Sequence, residues 1–189
     1  LCEPLENGQI TISRAARQAS FPAGFQLVAA MNPCPCGWLG APAASGRACR
    51  CTAEQITRYQ SRLSGPLLDR IDLQVELALV PAAEMLAQPE GEASATVATR
   101  VAAAHERQRL RQQQPNAALA AGRLDEICRL DEAGSRFLQQ AAQRLGWSGR
   151  ALHRVLKVAR TIADLADAEL IALPHLAEAL QYRRALPGA

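Results

Sequence analysis

The sequence predicts a predominantly helical chain in two parts. An α/β part holds a buried strand and an edge strand with a zinc-binding loop between them, and an all-α helical bundle follows. Three observations predict it. The run Phe25 to Met31, with Gln26 its only polar member and Asn32-Pro33 closing it, has the pattern of a strand buried on both faces, hence central and parallel. Directly after it comes Cys34-x-Cys36 and, after twelve intervening residues, Cys49-x-Cys51, at the two ends of a Gly-, Ala- and Pro-rich loop. Past Gly122 the apolar residues recur at helical spacing.

A chain of 189 residues can bury a core and suits one domain or two small ones. The net charge of +3 is too small to announce a nucleic-acid partner. The 21 basic residues include a single lysine, Lys157, so the arginine content reflects an Ala- and Arg-rich composition before function. No apolar run is long enough to span a membrane, and Leu1-Cys2-Glu3-Pro4 lacks the basic-then-apolar pattern of a leader, which predicts a soluble, cytoplasmic protein. Four cysteines sit in one cluster while Cys2 and Cys128 stand apart, a usage that suits metal binding in a reducing compartment better than a disulfide scaffold. The start lacks Met, and Leu1 to Glu6 reads as the end of a helix begun earlier, so a fragment of a longer chain is expected.

Taken in order, Asn7-Gly8 signals a turn, and Ile10 and Ile12 alternate with Gln9, Thr11 and Ser13 as a short strand. The polar stretch to Ser20 makes a hairpin with Arg14 and Arg17 near its tip, either a solvated surface feature or a basic contact. After the cysteine loop, Thr52 with Gln55 has capping-box spacing and starts a helix to about Leu63, which Ser64-Gly65-Pro66 breaks. Ile71, Leu73, Val75, Leu77 and Leu79 then alternate with Asp72, Gln74 and Glu76 as an edge strand ended by Pro81. A basic helix is expected from about Ala95 to Gln113. A turn at Leu124 to Leu130 leads to a helix from Asp131 that stacks Phe137, Leu138, Ala141 and Leu145 and is capped by Gly146. Ser148 opens a helix with the apolar stripe Leu152, Val155, Leu156, Ala159, Ile162, Ala163 and Ala166, and a last helix starts at Pro174.

Two close pairs of thiolates can complete a closed tetrahedral zinc site, which has a structural role. Structural zinc at Cys34, Cys36, Cys49 and Cys51 is favoured over free thiols, with disulfides third. Arg150, Arg154, Lys157 and Thr161 share a stripe opposite the core of the helix opened by Ser148. Its start is either a phosphate site or an ordinary solvated basic face. Arg70, between Asp69 and Asp72, reads alone as a surface ion pair, and Asn32 as a turn former.

The order of these features resembles the second half of a AAA+ ATPase module of the magnesium-chelatase-like group, and the local sequence is similar to the competence protein M (ComM) family. The resemblance rests on Leu-Glu-Asn-Gly through Ala-Ala-Met-Asn-Pro-Cys-Pro-Cys in residues 5–36, on Arg-Leu-Ser-Gly-Pro-Leu-Leu-Asp-Arg-Ile-Asp from Arg62 to Asp72, and on Val-Leu-Lys-Val-Ala-Arg-Thr-Ile-Ala-Asp-Leu from Val155 to Leu165. It implies that residues 1–80 are the last strands of a AAA+ parallel sheet, including a pre-sensor-1 hairpin at 9–22 and a Cys-rich loop at 33–51. Residues 81–122 are then a linker with a helix, and 123–189 a helical lid. By the same resemblance Asn32 falls at sensor 1, Arg70 at an arginine finger reaching a neighbouring subunit, and Arg150 at sensor 2. Asn32 and Arg150 would then touch nucleotide, and Arg14 and Arg17 on the pore-facing hairpin would touch DNA. The implied protein is a hexameric helicase using ATP and Mg²⁺, with structural Zn²⁺, that promotes branch migration during recombination and natural transformation. Rival readings are a metal-chelatase motor subunit driving Mg²⁺ insertion into a porphyrin and a stand-alone zinc-stabilised DNA-binding or adaptor module. Neither a Gly-x-x-x-x-Gly-Lys phosphate loop nor an apolar strand ending in Asp-Glu is present, since Leu124-Asp125-Glu126 follows Ala-Ala-Gly-Arg. The ATP cradle is therefore expected upstream, and the chain alone is expected to be inactive.

Overall fold

A computed structural model describes residues 4–5, 8–14, 17–41, 46–78, 80, 82–87 and 91–183. The chain divides into two compact units, the first Leu1–Ile71 with Leu77–Pro81 and Ala185–Ala189, the second Asp72–Glu76 with Ala82–Arg184. Most of the helix end expected at Leu1 to Glu6, together with Cys2, Leu79 and Pro81, lies outside the described residues.

In the first unit, β1 (Gln9–Arg14) and β2 (Arg17–Pro22) pair antiparallel, with Gln9 opposite Pro22, Ile10 opposite Phe21, Ile12 opposite Ala19 and Arg14 opposite Arg17. Side chains alternate across a strand, so Ile10, Ile12, Ala19 and Phe21 share one face with the two arginines at its tip. Both faces are exposed. The cysteine loop leads to α1 (Ala53–Gln60), whose capping box is complete: Gln55 N–H donates to Thr52 Oγ1 and Thr52 N–H to Gln55 Oε1. Where a simple break was expected after α1, Ser64 N-caps a one-turn helix, α2 (Gly65–Leu68), with Pro66 in its first turn, where a missing N–H costs nothing.

Two expected strands do not form. Residues 25–31 join no ladder, and Phe25, Leu27, Val28 and Met31 are exposed, Val28 at 85%. Residues 71–78 form none either, and Leu73, Val75 and Leu77 lie outward while Gln74 is half-buried, its N–H donating to Tyr182 O at 2.8 Å. The physical reason is shared. A strand exists only through its neighbour's hydrogen bonds, and the one sheet among the described residues is the β1–β2 pair.

The second unit carries α3 (Ala82–Ala87), α4 (Ser94–Gln112), short 3₁₀ turns at Asn116–Ala118 and Ala121–Arg123, α5 (Leu124–Ile127), α6 (Glu132–Leu145), α7 (Gly149–Leu165) and α8 (Leu173–Gln181). Its core joins Leu124, Ile127, Cys128 and Leu138 to Val155, Leu156, Ala159 and Ala163 of α7 and Leu176 and Ala179 of α8. Asp131 and Ser148 cap α6 and α7 by accepting from the N–H groups of Gly134 and Ala151. Gly146 ends α6 at φ +61°, a left-handed conformation that suits glycine. Gly134 has a second use, because a Cβ there would lie 3.2 Å from Leu176 Cδ1, so the glycine lets α8 approach α6 closely. The cap of the last helix is Ala172, whose N–H donates to His175 Nδ1 at 3.0 Å. Asp125 and Glu126 sit exposed on α5, not at the end of a strand.

Candidate metal centre and basic surfaces

The Cys-Pro-Cys-Gly turn folds back on itself because Gly37 takes φ +81° and its N–H donates to Cys34 O at 3.0 Å. That turn and the second arm of the loop bring Cys34, Cys36, Cys49 and Cys51 together, with all four sulfurs within 4.8 Å of one another. Cys34 Sγ lies 3.4 Å from Cys36 Sγ and 3.7 Å from Cys49 Sγ, and Cys36 Sγ lies 3.6 Å from Cys49 Sγ. A tetrahedron with metal–sulfur bonds of about 2.3 Å has sulfur–sulfur edges of about 3.8 Å. The four cysteines are therefore spaced to hold one metal ion.

Their surroundings favour thiolates unevenly. Cys36 is lowered to about 6 because the backbone N–H groups of Arg50 and then Trp38 donate to its sulfur. Cys34, which burial alone would raise, lies below its ordinary value through its neighbours, the Leu39 N–H and the Cys49 thiol among them. Cys51 is pushed up to about 12, first by burial and then by the adjoining thiols, so it is the sulfur a cation would most need to deprotonate. Gln60 Nε2 on α1 donates to Pro33 O at 3.0 Å, tying the loop's entry to the helix that follows it.

Asn32 is exposed, and its amide lies over Gly37, 3.7 Å from where a Cβ would be. Arg70 is half-buried, and its Nη1 donates to Pro66 O at 2.7 Å across α2. Arg14 and Arg17 are exposed and face each other in the last register pair of the hairpin. All of these belong to the first unit, whereas Arg150 lies exposed in the first turn of α7 in the second.

The rest of the expected basic stripe is not a free face. Arg154 pairs with Asp72, Lys157 Nζ donates to Ala117 O at 3.1 Å, and Thr161 Oγ1 accepts from Asn116 Nδ2 at 3.0 Å. The segments 72–76 and 116–118 cover it, which helical periodicity alone does not reveal. Sequence reasoning also missed a buried polar cluster. Asp164, 0% exposed, accepts two hydrogen bonds from Arg111, at 2.6 and 2.9 Å, one from Asn116 at 2.8 Å and one from Arg160 at 3.2 Å. Arg160 also donates to Ala168 O and Glu169 O, which holds the chain as it leaves α7. The available signal was the Arg160–Asp164 pair, four residues apart within the apolar stripe.

Compared with known proteins, residues 1–85 match the family described as magnesium chelatase, subunit ChlI, and residues 91–183 match its C-terminal companion. The chain is 49% identical to YifB of Salmonella typhimurium over 97% of its own length, and 47% identical to competence protein ComM of Haemophilus influenzae over 97%. It spans 35% of the length of each of these two curated relatives. No helix among the described residues is long and apolar enough to cross a membrane. With both halves matched by ChlI domains and nearly half its residues identical to ComM, the chain belongs to the magnesium-chelatase-like family that includes ComM.

Proposed function

We propose that this chain supplies the sensor, arginine-finger and lid parts of an ATP-driven hexameric ring motor that acts on branched DNA and promotes branch migration in recombination and natural transformation. The observation that carries the DNA reading is the tip of the hairpin. Arg14 and Arg17 are directly opposed across the strands and exposed, and like charges in that position are destabilising without a counter-charge. The hairpin itself offers no carboxylate, so a polyanion is the fitting partner.

In this reading Asn32 and Arg150 meet the nucleotide, Arg150 from a helix start whose free N–H groups already favour phosphate. Arg70 reaches the γ-phosphate held by the next subunit, where a guanidinium can clamp oxygen with two donors. The phosphate loop and the Mg²⁺ carboxylates lie in the remainder of a longer protein. The four cysteines hold structural Zn²⁺, the ion whose closed tetrahedral thiolate site asks nothing of redox chemistry.

Replacing Arg14 and Arg17 with Glu in the whole protein should weaken branched-DNA binding and abolish its stimulation of ATP hydrolysis, with unstimulated hydrolysis kept. A motor stimulated instead by a porphyrin-bearing partner, and indifferent to these substitutions, would be a metal-chelatase subunit. No hydrolysis from any form of the protein would leave the zinc-stabilised binding module.

A further inference from the structure

Between Glu6 and Glu54 the sequence has no Asp or Glu, yet it carries Arg14, Arg17, Arg47 and Arg50. The hairpin accounts for the first pair. The second pair lies on the cysteine loop, beside Trp38. The Arg47 guanidinium sits over the Trp38 ring, 4.6 Å from its centroid, and joins the two arms of the loop. Trp38 is half-buried, while Arg47 and Arg50 are exposed. An open hollow of about 580 Å³ lies beside Trp38 and Arg47, lined also by Gly40, Ala41, Gly46, Ala48 and Cys49. The cysteine cluster ties these residues in place, because the N–H groups of Trp38 and Arg50 both donate to Cys36 Sγ.

Each part has a plain physical meaning. A tryptophan face with a planar cation beside it is a stacking platform that any base can use, and flanking arginines meet the phosphates on either side. A stretch of sequence without acidic residues limits the repulsion that would oppose a polyanion. A hollow lined by glycine and alanine beside the Trp38 ring leaves room for a flat ring.

We propose that Trp38, Arg47 and Arg50, presented by the cysteine-held loop, form a contact for single-stranded nucleic acid in which a base stacks on the Trp38–Arg47 pair. It rests on the DNA reading above and adds a second contact, separate from the hairpin tip.

The two tryptophans, Trp38 and Trp147, allow a direct test. With Trp147→Phe in place, titrating the zinc-loaded chain with an oligo(dT) strand should quench the remaining emission of Trp38, while poly-glutamate should not. By a labelled-strand assay, Trp38→Ala should weaken binding about tenfold and Trp38→Phe less than about threefold, the range expected when one base loses its stack. Arg47→Ala and Arg50→Ala should each reduce the salt dependence of binding by roughly 0.7 in the log–log slope. Zinc content equal to that of the parent shows that each variant keeps the loop. A strand that binds without changing Trp38 emission or responding to Trp38→Ala overturns this contact and leaves the motor reading standing. Equal quenching by poly-glutamate would make the surface a site for acidic protein instead. Absence of any DNA binding at low salt, in the chain and in the whole protein, overturns both.

Discussion

Asp164 is a carboxylate with no exposure, and it is tolerable only because Arg111, Asn116 and Arg160 surround it with donors. Burial pushes its pKa upward, yet these partners hold it below the ordinary aspartate value of 3.8. Because the folded-state value is depressed, the group's contribution to stability is complete above the ordinary value. It drains away as pH falls through the lower, folded-state value. Asp164→Asn would leave two guanidinium groups without their counter-ion, and breaking a buried pair in this way costs about 3–5 kcal/mol. Urea denaturation at neutral pH should show that loss, and the variant should have a flatter acid limb than the parent. The sequence displayed Arg160 and Asp164 four residues apart among apolar positions. Charged residues are usually exposed, so a stripe drawn from apolar residues alone skips them. Arg111 and Asn116, the partners that make the burial possible, are about fifty residues away and share no local pattern with them.

At the scale of elements, legibility followed the range of the forces involved. Thr52 with Gln55, Asp131, Ser148 and Gly146 each mark a helix end by bonding a backbone within a few residues, so their chemistry is written locally and the helix limits were readable. The runs 25–31 and 71–78 were not, since alternation and apolarity describe a strand's faces and say nothing of the partner whose hydrogen bonds complete it. The basic stripe on α7 misled for a related reason, because segments 72–76 and 116–118 lie over it. The cysteine loop was readable because its four cysteines come as two close pairs, one on a short turn, joined by a single connection. Its composition gives it little core, and the proposed metal would replace one. Protein purified without chelator should contain one zinc per chain by elemental analysis, and Cys49→Ala/Cys51→Ala should retain none. Chelation should loosen the loop while leaving the α6–α8 core folded, as read by helical circular dichroism.

For the whole molecule, the proposed motor divides its labour between what this chain holds and what it lacks. Sensors cannot replace a phosphate cradle, so the 189-residue chain should hydrolyse no ATP above background. In the whole protein, Arg70→Ala should nearly abolish DNA-stimulated hydrolysis while nucleotide affinity and zinc content stay near the parent's, because a finger acts on charge that develops only during transfer. Subunits with Arg70→Ala keep their own phosphate loop. Adding subunits with an inactive phosphate loop and an intact Arg70 should therefore restore some hydrolysis in mixed rings. Mixed rings that form and stay inactive would place Arg70 within its own subunit. The buried thiol of the helical core bears on how such a molecule is followed in solution. Cys128 is 4% exposed and burial pushes it up to about 11, so at neutral pH it is both shielded and protonated. An alkylating reagent reaches it only when the bundle opens, whereas the loop thiols would become reactive once the proposed zinc departs. One reagent would thus run two clocks in the same chain, the rate of labelling at Cys128 timing the opening of the core and that at the loop timing the release of the proposed zinc.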